Sequence, residues 1–355
     1  MDQRNECFVE HIALEHKWRL GKYEIIRSIV RASGGGLIED CGYDGTLLSD
    51  LFRAWKRFAR EKMRQNAVRV FWMNLEGELL GLYHDIVSES YAHGPYRTFT
   101  LQDTKRREIA VASVRDRVVH HLVSDYLSSV YAKIFYPYSY ASQRGKGIDA
   151  ARWYVFQAIG AVGKLGRSVW IGKLDIRKFF ATIHQETLLA ILSQRVKDSR
   201  ILWLCRNIIE SFRAEGRGLP LGNLTSQWFG NIYLNDLDWH VRTVLHAPWY
   251  MRYSDDMIIV DDCEANVRQW IGSIRAFVAD RLRLEIPLCK IDVVRLPTPI
   301  DVLGIVTDGQ RQWLRSATRQ RAEQRLSERF DQHHERLLET QCSYASIGVY
   351  GPIIE

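Results

Sequence analysis

The stretch that most constrains this chain is Tyr250-Met251-Arg252-Tyr253-Ser254-Asp255-Asp256-Met257-Ile258-Ile259-Val260. Two apolar runs flank a pair of adjacent aspartates. Runs of that length read as buried strands, and the polar pair between them as the tight turn of a hairpin. An unpaired carboxylate is costly to bury, so two at the rim of a core call for compensation. A hard divalent cation, which takes oxygen ligands, is one source of it. A solvated Asp-Asp turn is the plain alternative.

A second strand carries the same signature. Arg167 to Ile176 is apolar and ends on Asp175, with Arg177-Lys178-Phe179-Phe180 leading towards a helix over Gln185–Gln194. Between the two strands lies Gly218-Leu219-Pro220-Leu221-Gly222-Asn223-Leu224-Thr225-Ser226-Gln227. The Gly/Pro loop permits close backbone approach, and a helix begins near Asn223 or Thr225. Asp236 and Asp238, towards the end of that helix, read as solvated.

Upstream, Gly94 to Leu101 and Glu108 to Ala112 read as a hairpin. Its tip, Asp103-Thr104-Lys105-Arg106-Arg107, holds three successive cations that suit a triphosphate, with a solvated loop as the plain alternative. Ser113 is a candidate cap for the following helix. Leu47 to Arg64 reads as a basic amphipathic helix with an apolar stripe of Leu48, Leu51, Phe52, Trp55 and Phe58. Val68 to Trp72 alternates like a strand, and Leu75 to Ser88 reads as a helix. Downstream, helices are expected over Asp149–Val162, Cys263–Arg283 and Ser316–Gln341, and a short strand over Val302–Ile305. The paired histidines His11 and His16, and His120 and His121, are out of register for a shared metal, and His333-His334-Glu335 reads as a solvated helix face.

Length and charge narrow the class. A chain of 355 residues has room for two or three domains. The net charge is +7 and the pI about 9.0, concentrated in Arg53–Arg60 and Arg315–Arg329, where aromatics interleave the first cluster. That pattern suits a phosphate backbone and stacked bases, against the plain reading of solvated helix faces. The six cysteines are scattered without a CxxC pair, so free thiols in a reducing cytoplasm are expected rather than zinc or disulfides. The N-terminus lacks the layout of a signal peptide. No run approaches the ~18 apolar residues of a membrane helix.

Three carboxylates ending two strands, a Gly-rich loop before a helix and a cationic hairpin form the set that two-metal phosphoryl transfer uses. In their order they resemble the reverse transcriptase family of right-hand palm polymerases. Lys173-Leu174-Asp175-Ile176 through Phe180 looks like the first palm motif, Gly218 to Gln227 the second, and Tyr253-Ser254-Asp255-Asp256 the YxDD motif. Leu284 to Lys290 looks like the lysine motif and Val302-Leu303-Gly304-Ile305 the primer grip. Arg97–Arg117 and Tyr140–Gly147 resemble the fingers of bacterial enzymes.

The resemblance implies an α+β right-hand polymerase. Its parts are an N-terminal extension (1–45), fingers (46–165), a palm of antiparallel sheet and helices (166–305), and a short helical thumb with a tail (306–355). It implies an RNA-directed DNA polymerase binding an RNA template, product DNA and dNTPs, with two Mg2+ ions, or Mn2+, held by Asp175, Asp255, Asp256 and the carbonyl of Ile176. Lys290 is the implied proton donor to pyrophosphate. Lys105 and Arg107 are the triphosphate clamp, and Arg115 organises the fingers. Phe180 is the steric gate against a ribose 2′-hydroxyl. Leu221, Gly222, Ser226 and Gln227 line the nucleotide.

One departure stands out. Most bacterial relatives carry Gln-Gly-x-x-x-Ser-Pro in the second motif, where this chain has Leu221. That form looks like the error-prone enzymes of diversity-generating retroelements and their bacterial cousins in antiphage defence. The first kind implies an accessory protein, the second a dedicated non-coding RNA or a second polymerase subunit. An inactive palm scaffold that only binds RNA is the alternative from another class.

Overall fold

A computed structural model describes residues 45–102, 106–164, 166–212 and 216–330. The chain divides into two compact units. Residues up to Pro95 together with Ala112–Asp125 form the first, and Tyr96–Val111 with the chain from Tyr126 onwards the second.

The first unit is helical: α1 (Gly45–Ala59), α2 (Asn66–Met73), α3 (Leu75–Val87) and the start of α4 (Val114–Tyr131). The stripe read from the sequence is the buried face of α1, since Leu48, Leu51, Trp55 and Phe58 are all sequestered. Trp55 stacks on Phe71 of α2 with ring centroids 4.9 Å apart. Large side chains such as these each stabilise the unit by about 1.5–3 kcal/mol on burial. Residues Val68–Trp72 form part of α2, not a strand. Val68 and Phe71, three apart, are buried while Val70 is exposed, which is a helical period. The β-branched residues there mimicked a strand. Ser113 caps α4 as expected, its Oγ accepting from the Asp116 amide at 3.1 Å.

The second unit is built on a four-stranded antiparallel sheet of order β4-β5-β3-β6. Its strands are β3 (Trp170–Asp175), β4 (Trp249–Tyr253), β5 (Asp256–Asp261) and β6 (Ile291–Arg295). Tyr250, Met251 and Met257 to Val260 are buried, as the continuous apolar runs require. Helix α5 (Ile148–Gly163) packs on β4 and β5. Two short helices, α6 (Phe179–Thr182) and α7 (Gln185–Arg195), follow β3, then α8 (Ser199–Glu210). The helix α9 (Leu224–Thr243) has Asn223 at its N-cap, at the start the sequence implied. It is followed in the chain by β4 and β5, and then by α10 (Glu264–Leu282).

A separate hairpin, β1 (Arg97–Gln102) with β2 (Arg106–Val111), belongs to this unit too. So does a three-stranded sheet of β7 (Ile300–Val302), β8 (Ile305–Thr307) and β9 (Gln312–Leu314). Val302–Ile305 is therefore a two-residue turn between β7 and β8, not a strand. Leu303 and Gly304 sit at φ 52° and 90°, the left-handed pair that such a tight hairpin turn demands. The last described helix, α11, runs Ser316–Phe330. Ala322 on it is fully buried, so it has one seated face. The expectations for residues 1–44 and for the helix beyond Phe330 lie outside the described residues. Among the described helices, none is long and apolar enough to cross a membrane. The fold is thus α+β, with helices against an antiparallel sheet, the class that the sequence implied.

Candidate active site

Sheet register brings the distant aspartates together. Asp175 ends β3 and Asp256 opens β5, and the two are direct cross-strand partners. Asp255 lies beside them in the two-residue turn that joins β4 to β5, where Tyr253 pairs with Asp256. Ser254, the other turn residue, has φ 58°, a conformation that residues other than glycine seldom adopt. Asp175 and Asp255 stand close enough for the charge of one to act on the other.

The electrostatics show the crowding. Burial, and then the charge of Asp175, push the Asp255 carboxyl up. Asp256 is pushed up to about 6, mainly by burial; Lys173 opposes this, while Asp255, Asp175 and Asp301 add to it. Two ammonium groups answer these acids. Lys290 forms an ion pair with Asp175, and that hydrogen bond raises the lysine's own pKa. Lys173, two residues before Asp175 on the same strand face, donates to the carbonyl of Asp301 at 3.0 Å. Sequence reasoning missed Lys173, although the period of two along a strand places it on the aspartates' face.

Among the described residues, no three His, Cys, Asp or Glu side chains close into a metal shell. The donor set nonetheless suits a hard cation. Carboxylates that repel one another are relieved by divalent charge, and Mg2+ typically takes one or two carboxylates with waters and substrate phosphates. Ile176, which follows Asp175, has a buried side chain, leaving only its backbone as a donor to the site.

The loop of the second motif is pinned to the β1–β2 hairpin. The amide of Ala110 donates to the Leu221 carbonyl at 3.0 Å, and Asn223 Nδ2 donates to the Ala110 carbonyl at 2.9 Å. Gly222 has φ +102°, and a Cβ there would lie 2.8 Å from Ile109 Cγ2, so no larger residue fits without displacement. Ser226 on α9 is buried, with its Oγ lacking a hydrogen-bond partner, and Gln227 is exposed. Phe180 is half-buried, against Phe179 at 5.1 Å. Gly230 of α9 leaves room for both rings, since a Cβ there would lie 3.2 Å from Phe180 Cε1.

Of the cationic residues, Arg107 lies exposed on β2. Lys105 lies outside the described residues. Arg115, in the helical unit, is ion-paired with Asp85 and lies over the ring of Tyr91 at 5.6 Å. Its contacts are those of an organising residue within that unit rather than of a substrate ligand.

One expectation is overturned. Asp238 is completely buried, not solvated, as is Arg252. Arg252 Nε donates to Asp238 Oδ1 at 2.8 Å and Nη2 to Oδ2 at 2.7 Å, a two-pronged ion pair behind the Ser254-Asp255 turn. The signal was present in the sequence as a lone arginine within an apolar strand, since a buried charge needs a partner. Asp236, by contrast, is exposed as expected.

Comparison with known proteins agrees with this geometry. Residues 100–307 match the family described as "Reverse transcriptase (RNA-dependent DNA polymerase)". "Protein YkfC" of Escherichia coli is 23% identical over 268 residues, covering 64% of this chain and 70% of that protein. The "Group II intron-encoded protein LtrA" of Lactococcus lactis is 23% identical over 141 residues, 38% of this chain and 22% of its own. A third relative, an "Uncharacterized 91 kDa protein in cob intron" of Schizosaccharomyces pombe, is 26% identical over 166 residues, 44% of this chain. This chain thus spans only about a fifth of the two intron-encoded relatives. The solved structure of apo telomerase from Candida tropicalis overlays 65% of this chain and 49% of its own, with a TM-score of 0.49 and 11% identity. That likeness is too distant to weigh.

Proposed function

Because the chain belongs to the reverse transcriptase (RNA-dependent DNA polymerase) family, we propose that it copies RNA into DNA by adding dNTPs to a 3′ hydroxyl. The observation that carries this reading is the meeting of Asp175, Asp255 and Asp256, which are up to 81 positions apart, at one end of the sheet. Asp175 and Asp255, with the Ile176 carbonyl, are the groups that would hold two Mg2+ ions, or Mn2+, and Asp256 completes the cluster. Bound there, such ions favour the 3′ alkoxide and neutralise the triphosphate and departing pyrophosphate.

The remaining roles belong to the chain's own side chains. Lys290, kept protonated by Asp175, has the ammonium that a proton donor to pyrophosphate needs. Arg107, with Lys105, clamps the triphosphate. Phe180 excludes an oxygen at C2′ with the flat face of its ring. Leu221, Gly222, Ser226 and Gln227 line the base and sugar. In this reading residues 46–165 are fingers, 166–305 palm and 306–355 thumb, and the basic faces of α1 and α11 lie along nucleic acid.

The template is an RNA, and a dedicated non-coding RNA in a bacterial antiphage system fits the resemblance best. A partner there would be a second polymerase subunit, in the cytoplasm and off the membrane. Leu221 supports a second reading, an error-prone enzyme of a diversity-generating retroelement with an accessory protein. All three palm aspartates are present, which speaks against an inactive scaffold. Primer extension by the purified chain on an RNA template with Mg2+ tests the chemistry. Wild type should extend and Asp255→Ala should not; equal activity, or none in either, refutes the reading. Sequencing copurifying RNA and product DNA decides the role. A single structured RNA supports defence, and product DNA that departs from its template at many positions supports diversification.

A further inference from the structure

The Asp255 carboxylate sits on a turn, and a turn must be held. The Ser254 carbonyl accepts from Arg252 Nη1 at 3.0 Å. That carbonyl belongs to the peptide unit whose nitrogen is that of Asp255. Fixing it therefore fixes the backbone from which the Asp255 carboxylate projects. The same Nη1 donates to Asn231 Oδ1 at 3.1 Å, while Nε and Nη2 are both taken by Asp238. Asp238 also accepts from the Tyr250 hydroxyl at 2.8 Å. The guanidinium is thereby held at three corners, and its planar fork leaves no freedom to slide.

The clamp has its own anchorage. Asn231 and Asp238 lie two turns apart on α9, on one face of the helix. Asn231 Nδ2 also donates to the Ala141 carbonyl at 2.8 Å. The backbone of Arg252 donates to Tyr138 and accepts from Tyr140, at 3.1 and 2.9 Å. A buried ion pair is not required for stability, because apolar groups of similar volume often replace one without loss. What apolar groups cannot replace is the bond to the Ser254 carbonyl in a turn that rests at φ 58°.

We propose that Arg252, clamped by Asp238 and Asn231, is a positioning residue that sets the Asp255 carboxylate against Asp175. The proposal rests on the polymerase reading of the site, and it deepens that reading by assigning the back of the turn a part in metal capture and rate.

The test replaces the clamp rather than breaking it. A triple variant, Arg252→Met with Asp238→Leu and Tyr250→Phe, removes the charges and the hydroxyl together. Its melting temperature and circular dichroism report folding, and Mn2+ binding is read by electron paramagnetic resonance without substrate. Extension of oligo(dT) on poly(rA) gives kcat and the KM for dTTP. The expected result is native-like melting, an unchanged KM, Mn2+ binding weakened severalfold and kcat reduced by roughly a hundredfold, the scale of a misplacement near 1 Å. Wild-type kcat and Mn2+ binding in the folded triple variant would overturn the proposal. If the triple variant does not fold, Arg252→Lys decides by the same readouts. It keeps the charge beside Asp238 but cannot reach Asp238 and Ser254 together, so normal values there overturn the proposal equally. Failure of the polymerase reading looks different. In that case wild type extends no primer, and the Mn2+ titration of the variants still reports on Arg252.

Discussion

The two sides of the Ser254-Asp255 turn handle charge in opposite ways. Behind it, Arg252 and Asp238 are fully buried, and every Arg252 nitrogen has an acceptor. In front, three partly exposed carboxylates crowd together with two lysines nearby, and the Asp255 and Asp256 carboxyls are pushed up. The rear cluster is complete within the chain. The front one is left short of positive charge, at the mouth of a site where a ligand can supply it. A charge cluster that the fold satisfies is structural or positional, and one that it leaves short is where chemistry enters.

This contrast can be broken by experiment. Asp255→Ala removes a repelling charge from the front, so primer extension should fall at least about a thousandfold while the melting temperature holds or rises. A melting temperature that dropped with activity would make the front as structural as the rear. Asp238→Ala, by contrast, strands a buried guanidinium and should cost about 3–5 kcal/mol of stability, measured by urea unfolding. A loss under 1 kcal/mol would mean that water reaches the pair.

Smaller effects sharpen the picture on the substrate side. Phe180→Ala should reduce discrimination against ribonucleotides by about 10–200-fold, the scale for a group that acts through shape, with little change in dNTP incorporation. An unaltered ratio in single-nucleotide extension removes Phe180 as the gate. Gly222→Ala, forced into φ +102° and against Ile109, should cost about 1–3 kcal/mol and raise the KM for dNTP. Leu221→Gln should have the smallest effect, a severalfold fall in misincorporation on a defined RNA template; unchanged errors would detach fidelity from that position.

Much of the front was legible in the sequence. Apolar strands that stop on acids drew attention to Asp175, Asp255 and Asp256, and the order of the motifs around them, rather than the acids alone, set them apart from solvated turn residues. The start of α9 at Asn223 and the cap at Ser113 followed from local backbone chemistry. The rear was not legible, because Asp238 and Arg252 belong to different elements and only sheet and helix packing show that they meet. A polar residue on a helix reads as solvated until the neighbouring strand is in place. The Val68–Trp72 segment misled for a different reason, since β-branched residues are tolerated in a helix once Val68 and Phe71 find a core. Val302–Ile305 looked continuous because a left-handed leucine at 303 leaves no mark in an apolar run.

The stitch between Ala110 and the Leu221–Asn223 loop has a mechanical corollary. It couples the strand that carries Arg107 to the backbone on either side of Gly222. A shift of one along the bond direction would have to be shared by the other or break both bonds, so the two segments are constrained to respond as a unit.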